Sequence, residues 1–261
     1  MPNINGNSKI TPDFGDATRL RLIAAVQRSS IESMSLKPGF CVLDVGCGRG
    51  SGTLGLAAAV GVAGVVHGVD YDAMMIAEAR QRALLEGVDA RVFYHQANAI
   101  ALPWPDLVHF PKISTIYQAN AIALPWPDGY FNASRRDRVL QHMLEPVRAF
   151  VELLRVTRTG GKVVVIDGDW ATLNIDSDDP NVEARLPHFQ ETLRPRNLRS
   201  GQCLRGLFKR FGLRDVTLDV RPVFESDADP AWCWQQSLAS TADEDGRYAS
   251  ANFLVIAGSK S

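Results

Sequence analysis

The chain is short of clustered cysteine, of excess charge and of long apolar runs, and each shortage removes a class of function. Its four cysteines, Cys41, Cys47, Cys203 and Cys233, form no CxxC pair. That spacing argues against a thiolate metal site, and no metal is expected. Reduced thiols in a cytoplasmic setting are the simplest reading. Lysine plus arginine number 28 and aspartate plus glutamate 29, so the net charge is −1. Without a basic excess, nucleic acid is not the expected partner. The longest apolar stretch, Leu54 to Val66, contains three glycines and is too short to cross a bilayer. The first eleven residues are polar and carry no apolar signal region. No membrane partner is expected, and a small-molecule substrate is what remains.

What is present suits one soluble domain with a sizeable core: 46% of the residues are apolar. Apolar spacing and breakers predict helices over 16–28, 51–60, 73–86, 145–156 and 201–211. Strands are predicted at 40–45, 65–70, 90–96, 130–137, 162–167, 216–222 and 252–258. The fourth is weak, because Ser134-Arg135-Arg136 is polar for a buried strand. Strands alternating with helices imply an α/β fold with a Rossmann-like, doubly wound, mostly parallel sheet of seven strands. The last two strands are close in sequence, which suits an antiparallel final strand. Residues 1–261 then form a single domain, with a cofactor-binding core over 15–170. The polar segment 171–200 is long enough to cap a substrate, with Trp170, Phe189 and Leu193 as apolar lining.

The most informative residues are Val42 to Gly50, which read as a buried strand ending in Asp44 and a turn with Gly46, Gly48 and Gly50. Glycine lets a ligand approach the backbone closely. A carboxylate two residues before the first glycine repels a pyrophosphate but suits a cationic amino-acid ligand. Asp70 closes the second strand, where an acid can accept hydrogen bonds from a ribose diol. A dinucleotide oxidoreductase is the rival reading. Its G-x-G-x-x-G fingerprint is shortened here to G-x-G-x-G, and Asp44 weighs against it.

One segment is written twice. Gln96 to Asp106 recurs without change as Gln118 to Asp128, eleven residues at an offset of 22. A surface-loop duplication is the plain account, since closure entropy grows only logarithmically with length. Alternatively, Ile113 to Tyr117 forms a strand leading into the second copy, as Arg91 to His95 leads into the first, and these two segments compete for one place in the sheet. The first is favoured, because 91–96 follows its helix at ordinary spacing. The displaced segment would then form a flap or a contact for a homo-oligomer.

Taken together, these motifs resemble the class I S-adenosylmethionine-dependent methyltransferases, and most nearly the ubiquinone and menaquinone biosynthesis C-methyltransferases. The likeness spans roughly residues 15 to 170. It rests on Val42 to Gly50, on Gly68 to Tyr71, and on Asn98-Ala99 or its copy Asn120-Ala121 ahead of Leu-Pro-Trp-Pro-Asp. It also includes Phe131 to Met143 and Arg155 to Asp167. The resemblance implies S-adenosyl-L-methionine as cofactor, with Asp44 and Gly46 on the methionine ammonium and Gly48 beneath it. It implies Asp70 on the ribose hydroxyls, Tyr71 against adenine, and Asn98 or Asn120 at the adenine amine. Cys47, Ala99, Ala121 and Asp137 complete the implied cofactor set. Asn132 departs from the family, which usually has aspartate there.

Methyl transfer from a sulfonium is an in-line displacement that needs positioning and exclusion of water. Arg138 and His142 follow the fourth strand at the end where such sheets bind ligands. His142 is the candidate base and Arg138 its companion, although His142 also reads as a structural histidine. The expected acceptor is a small aromatic or polycyclic metabolite, with carbon slightly preferred over oxygen or nitrogen. An NAD-dependent oxidoreductase and a non-catalytic binding protein derived from a methyltransferase are the alternatives.

Overall fold

The computed structural model describes residues 14–96, 123–140, 143, 145–176, 200–226 and 248–261. In chain order the elements are α1 (Phe14–Ser33), β1 (Cys41–Val45), α2 (Ser51–Val60), β2 (Val65–Asp70), α3 (Ala73–Leu85) and β3 (Val92–Gln96). They continue as β4 (Phe131–Asp137), α4 (Pro146–Val156), β5 (Thr157–Asp176), α5 (Ser200–Arg210), β6 (Arg214–Ser226) and β7 (Tyr248–Ser259). One seven-stranded sheet joins them in the order β3-β2-β1-β4-β5-β7-β6. The five strands β3, β2, β1, β4 and β5 run parallel to one another. β7 enters between β5 and β6, antiparallel to both. The expected doubly wound sheet and its antiparallel last strand are therefore present.

Alternation along the strands divides the core into two layers. Val42, Val66, Val164 and Ile166 face Val26 of α1, Leu56 of α2 and Ile76 of α3. Leu43, Val45, Val163 and Val165 face Phe150 and Leu153 of α4 and Phe208 of α5. Helices on both faces cover a parallel sheet, which is why its strands are apolar on both sides. α3 starts where Asp72 caps it, its carboxylate accepting from the Met74 and Met75 amides.

Two readings of the sequence need adjusting. The fourth strand is fully central rather than weak, and all but one of its seven residues are buried. β5 continues to Asp176, paired along 174–176 with 248–250 of β7. The start of the expected cap is therefore strand, and 177–199 lies outside the described residues. The segment 91–96 does supply the third strand, as expected. Asn132 accepts the Cys41 amide at 2.7 Å, a bond that ties β4 to the start of β1.

On the α4 side, near the β3 edge, a compact aromatic group forms around His67. Its ring packs against His95, Trp126 and Phe131 at 5.3, 5.4 and 5.7 Å. Nδ1 of His67 and Nε2 of His95 are 3.0 Å apart. Burial pushes His67 down to about 3 and His95 down to about 4. Both are neutral in the folded state, whereas the unfolded chain takes up their protons near pH 6.5. Stability contributed by this pair is therefore complete above pH 6.5 and lost as the pH falls toward 4. The expected slope is about 1.4 kcal/mol per pH unit for each histidine. Urea midpoints between pH 7 and 5 should show it, and the paired change His67→Phe with His95→Phe should remove it.

Candidate functional site

The glycine turn follows β1 at the carboxyl end of the parallel strands, the end where open α/β sheets bind ligands. Both the Gly46 and Cys47 amides donate to the Val69 carbonyl, at 2.7 and 3.0 Å, so the turn is fastened to β2. Gly46 has φ +82, and a Cβ there would lie 2.7 Å from the Asp137 carbonyl oxygen. Glycine is required at this position both by its left-handed φ and by the close passage of β4. Gly48 also has positive φ, and its amide donates to Oδ2 of Asp70 at 2.8 Å. Oδ1 of Asp70 accepts the Asp72 amide at 3.1 Å. The Asp70 carboxylate is thus held between the glycine turn and the start of α3, and it keeps some exposure. Tyr71, the next residue, is 73% exposed. The Tyr71 carbonyl receives the Gln96 side-chain amide at 3.4 Å, linking this rim to the end of β3.

Asp44 is placed differently from the expectation. Strand alternation turns it sideways, with Val42, into the α1–α2 layer, where it is fully buried. Arg135 of β4 grips it in a fork, Nε to Oδ1 at 3.0 Å and Nη2 to Oδ2 at 2.9 Å. The Thr53 hydroxyl of α2 adds a third bond at 2.7 Å. Both carboxylate oxygens are therefore committed to the protein rather than open to a ligand ammonium. Burial pushes the Asp44 carboxyl up, and the Arg135 guanidinium and Thr53 hydroxyl pull it back toward the ionised form. Arg135 also donates to Ser30 of α1 at 3.0 Å. Gly52 makes room for it, since a Cβ there would collide with Nη2.

Cys47 is buried, and burial holds its thiol well above the ordinary range. It contributes shape and a backbone amide, not a thiolate. Asp137 ends β4 almost buried. Although burial works against its charged form, Arg138 and Arg135 hold its carboxyl below the usual range. Arg138 follows with φ +54, an uncommon backbone for arginine, and bonds Asp137 through Nε at 2.8 Å. Asp44, Gly46, Cys47, Gly48, Asp70, Tyr71, Asp137 and Arg138 therefore gather around one end of β1, β2 and β4. Asn98, Ala99, Asn120, Ala121 and His142 lie outside the described residues.

The sequence reading missed Arg135, Thr53 and Ser30 as parts of this centre. The signal was present, because a pair of arginines in the fourth strand is the oddity noted above. Arg136 alternates to the opposite face, buried near Asp167 and Glu152. Burial lowers it to about 10 and those acids oppose the shift, so it stays charged at neutral pH.

The fold and the turn define a Rossmann-like scaffold with an acid, Asp70, at the end of its second strand. A family model described as a methyltransferase domain matches residues 36–211. The chain belongs to this family, that of the class I S-adenosylmethionine-dependent methyltransferases. Over 141 residues it is 32% identical to the ubiquinone/menaquinone biosynthesis C-methyltransferase of Shewanella pealeana, covering 54% of this chain and 47% of that one. The chain spans about half or less of the length of the first curated relatives it matches. Among solved structures, the YcgJ protein of Bacillus subtilis superposes with a TM-score of 0.62 at 17% identity, over 91% of this chain and 98% of its own. Geranyl diphosphate C-methyltransferase of Streptomyces coelicolor A3(2) gives 0.58 at 19% identity, over 95% of this chain and 82% of its own. That structure holds Mg2+, geranyl diphosphate and S-adenosyl-L-homocysteine. Both likenesses concern the fold. Among the described residues no helix is long and apolar enough to cross a membrane, and no group of acids, histidines or cysteines could hold a metal ion.

The pair at the centre is testable by itself. Arg135→Ala strands a buried carboxylate and should cost about 3–5 kcal/mol, read from chemical denaturation. A cost within 0.5 kcal/mol, the range of a surface change, would show that Asp44 does not depend on this partner.

Proposed function

We propose that the protein transfers a methyl group from S-adenosyl-L-methionine to a small, aromatic or polycyclic metabolite, with carbon the favoured acceptor atom. The observation that carries the cofactor reading is Asp70, whose two oxygens are aimed by the Gly48 and Asp72 amides beside the exposed ring of Tyr71. A carboxylate fixed in this way accepts a diol without further ordering, which lowers the entropic cost of binding. The left-handed Gly46 and Gly48 leave the backbone bare where a nucleoside cofactor must lie close. These residues fit the group, with Asp70 on the ribose, Tyr71 against adenine, and the Gly46–Gly48 turn under the amino-acid portion.

Asp44 serves this site indirectly. Through Arg135, Thr53 and Ser30 it fixes β1, β4, α1 and α2, and so fixes the turn that follows β1. Asp137, which also lies at this end of the sheet, retains its negative charge and is a second acid available as counter-charge for a cationic amino acid. When bound, the cofactor supplies an activated methyl group on a sulfonium. The protein's own contribution is to orient the acceptor, exclude water and, where needed, take a proton. Arg138 at the end of β4, and His142 beyond it, are the residues assigned to the acceptor side. The carbon preference and the ring-like acceptor rest on the quinone methyltransferase relative.

Calorimetry with S-adenosylhomocysteine and with NAD separates this reading from the oxidoreductase alternative. Binding of NAD in place of S-adenosylhomocysteine would overturn it. Asp70→Ala should weaken S-adenosylhomocysteine by about 1–3 kcal/mol, the scale of lost bonds to a charged group. Unchanged affinity would remove Asp70 from the pocket. His142→Ala should lower turnover while leaving cofactor affinity intact, and unchanged turnover would exclude it as the base.

A further inference from the structure

The α4 face of the sheet carries a seat whose occupant is encoded twice in the chain. In the structure the second copy of the repeat fills it. Leu124 and Trp126 are each 4% exposed. The Trp126 ring stands edge-on to His95 at 5.2 Å and to Phe131 at 5.1 Å. Polar bonds fix the chain on either side. Glu152 of α4 accepts the Leu124 amide. Arg155 donates to the Leu124 carbonyl at 2.9 Å and to the Asp128 carboxylate at 2.7 Å. Arg155 is itself steadied by Glu152, at 2.6 and 2.9 Å.

Every residue of the second copy that makes these contacts has an identical counterpart. Leu102, Trp104 and Asp106 stand where Leu124, Trp126 and Asp128 stand in the second copy. The seat therefore cannot distinguish the copies by contact chemistry. Reach does not separate them either. The seated ring touches His95, and Trp104 follows His95 by only nine residues, which extend up to about 30 Å. Either arrangement leaves the same 22 surplus residues to be looped out, and because closure entropy grows only logarithmically with loop length it separates the two only weakly.

The exit is where they differ. Asp128 is followed by Gly129, at φ +68, whose amide donates to the Arg155 carbonyl at 2.9 Å. Asp106 is followed by Leu107, which pays a steric cost in that left-handed backbone. This favours the second copy by on the order of tenfold.

We propose that the seat formed by His67, His95, Phe131, Glu152 and Arg155 accepts both copies, with Leu102–Asp106 as its minor occupant within the same molecule. The proposal does not depend on the assigned enzymatic activity. Its two states differ in which copy is buried, and hence in the length of chain between the end of β3 and the seat.

Tryptophan truncation tests it. Trp104→Ala should leave the folding equilibrium almost unchanged. Trp126→Ala should lower it by only about tenfold, because the first copy takes over. The double variant should lower it by more than about a hundredfold, as expected for an emptied tryptophan site. Leu107→Gly, added to Trp126→Ala, should recover most of the lost tenfold by easing the exit. If Trp126→Ala is as damaging as the double variant and Leu107→Gly restores nothing, the proposal fails. Fluorine spectra of the unaltered chain labelled with 5-fluorotryptophan guard against variants that do not fold. Trp104 and Trp126 should each show a major and a minor resonance in exchange. One resonance apiece, or rescue of Trp126→Ala that depends on protein concentration, would overturn exchange within one molecule.

Discussion

The bidentate bond between Asp44 and Arg135 is the constraint on which the site depends. It joins the two central strands at their carboxyl ends, and Thr53 and Ser30 extend it into α2 and α1. Two ions removed from water are costly, and their attraction offsets that cost only when the geometry is good and the remaining bonds are made. Here the guanidinium fork, a threonine hydroxyl and a serine hydroxyl supply those bonds. Once the pair is in place, β1 cannot shift against β4, and Gly46 is left beneath the Asp137 carbonyl. The glycine turn thus has its shape set from below, by a fully buried pair.

The same logic extends along β4. Its last residues alternate between faces, and each charge meets an opposite charge. Arg135 meets Asp44, Arg136 lies near Asp167 and Glu152, and Asp137 meets Arg138. A central strand carrying three consecutive charges would be untenable if these were solvated separately. Paired on both faces, they leave a nearly neutral centre, in which Arg138 and Arg135 hold the Asp137 carboxylate in its ionised form.

This explains what was legible in the sequence and what was not. The glycines, Asp70 and the Asp72 cap could be read directly because they act through backbone geometry, which local spacing encodes. The element order was legible for the same reason. Asp44 was misdirected because its distance from the glycines says nothing about the face it takes. That face follows from the pleat of β1, and the partner that captures it is ninety-one residues away. The fourth strand looked weak because single residues were weighed without their cross-strand partners. A pair of arginines in an otherwise apolar α/β pattern is better read as a demand for buried acids, and Asp44, Asp137 and Asp167 were there to meet it.

The duplication shows how lightly such a fold carries extra chain. β3 and β4 are not neighbours in the sheet, since β2 and β1 lie between them. No strand pairing therefore limits the length of their connection. The seat fixes only the last few residues before β4, through Leu124, Trp126 and Asp128, and leaves the upstream part free of that constraint. Yet the seat is not isolated from the ligand end. His67 faces it from β2, three residues before Asp70, and His95 faces it from β3, beside Gln96 and its bond to the Tyr71 carbonyl. Stiff, fully paired strands connect the two places.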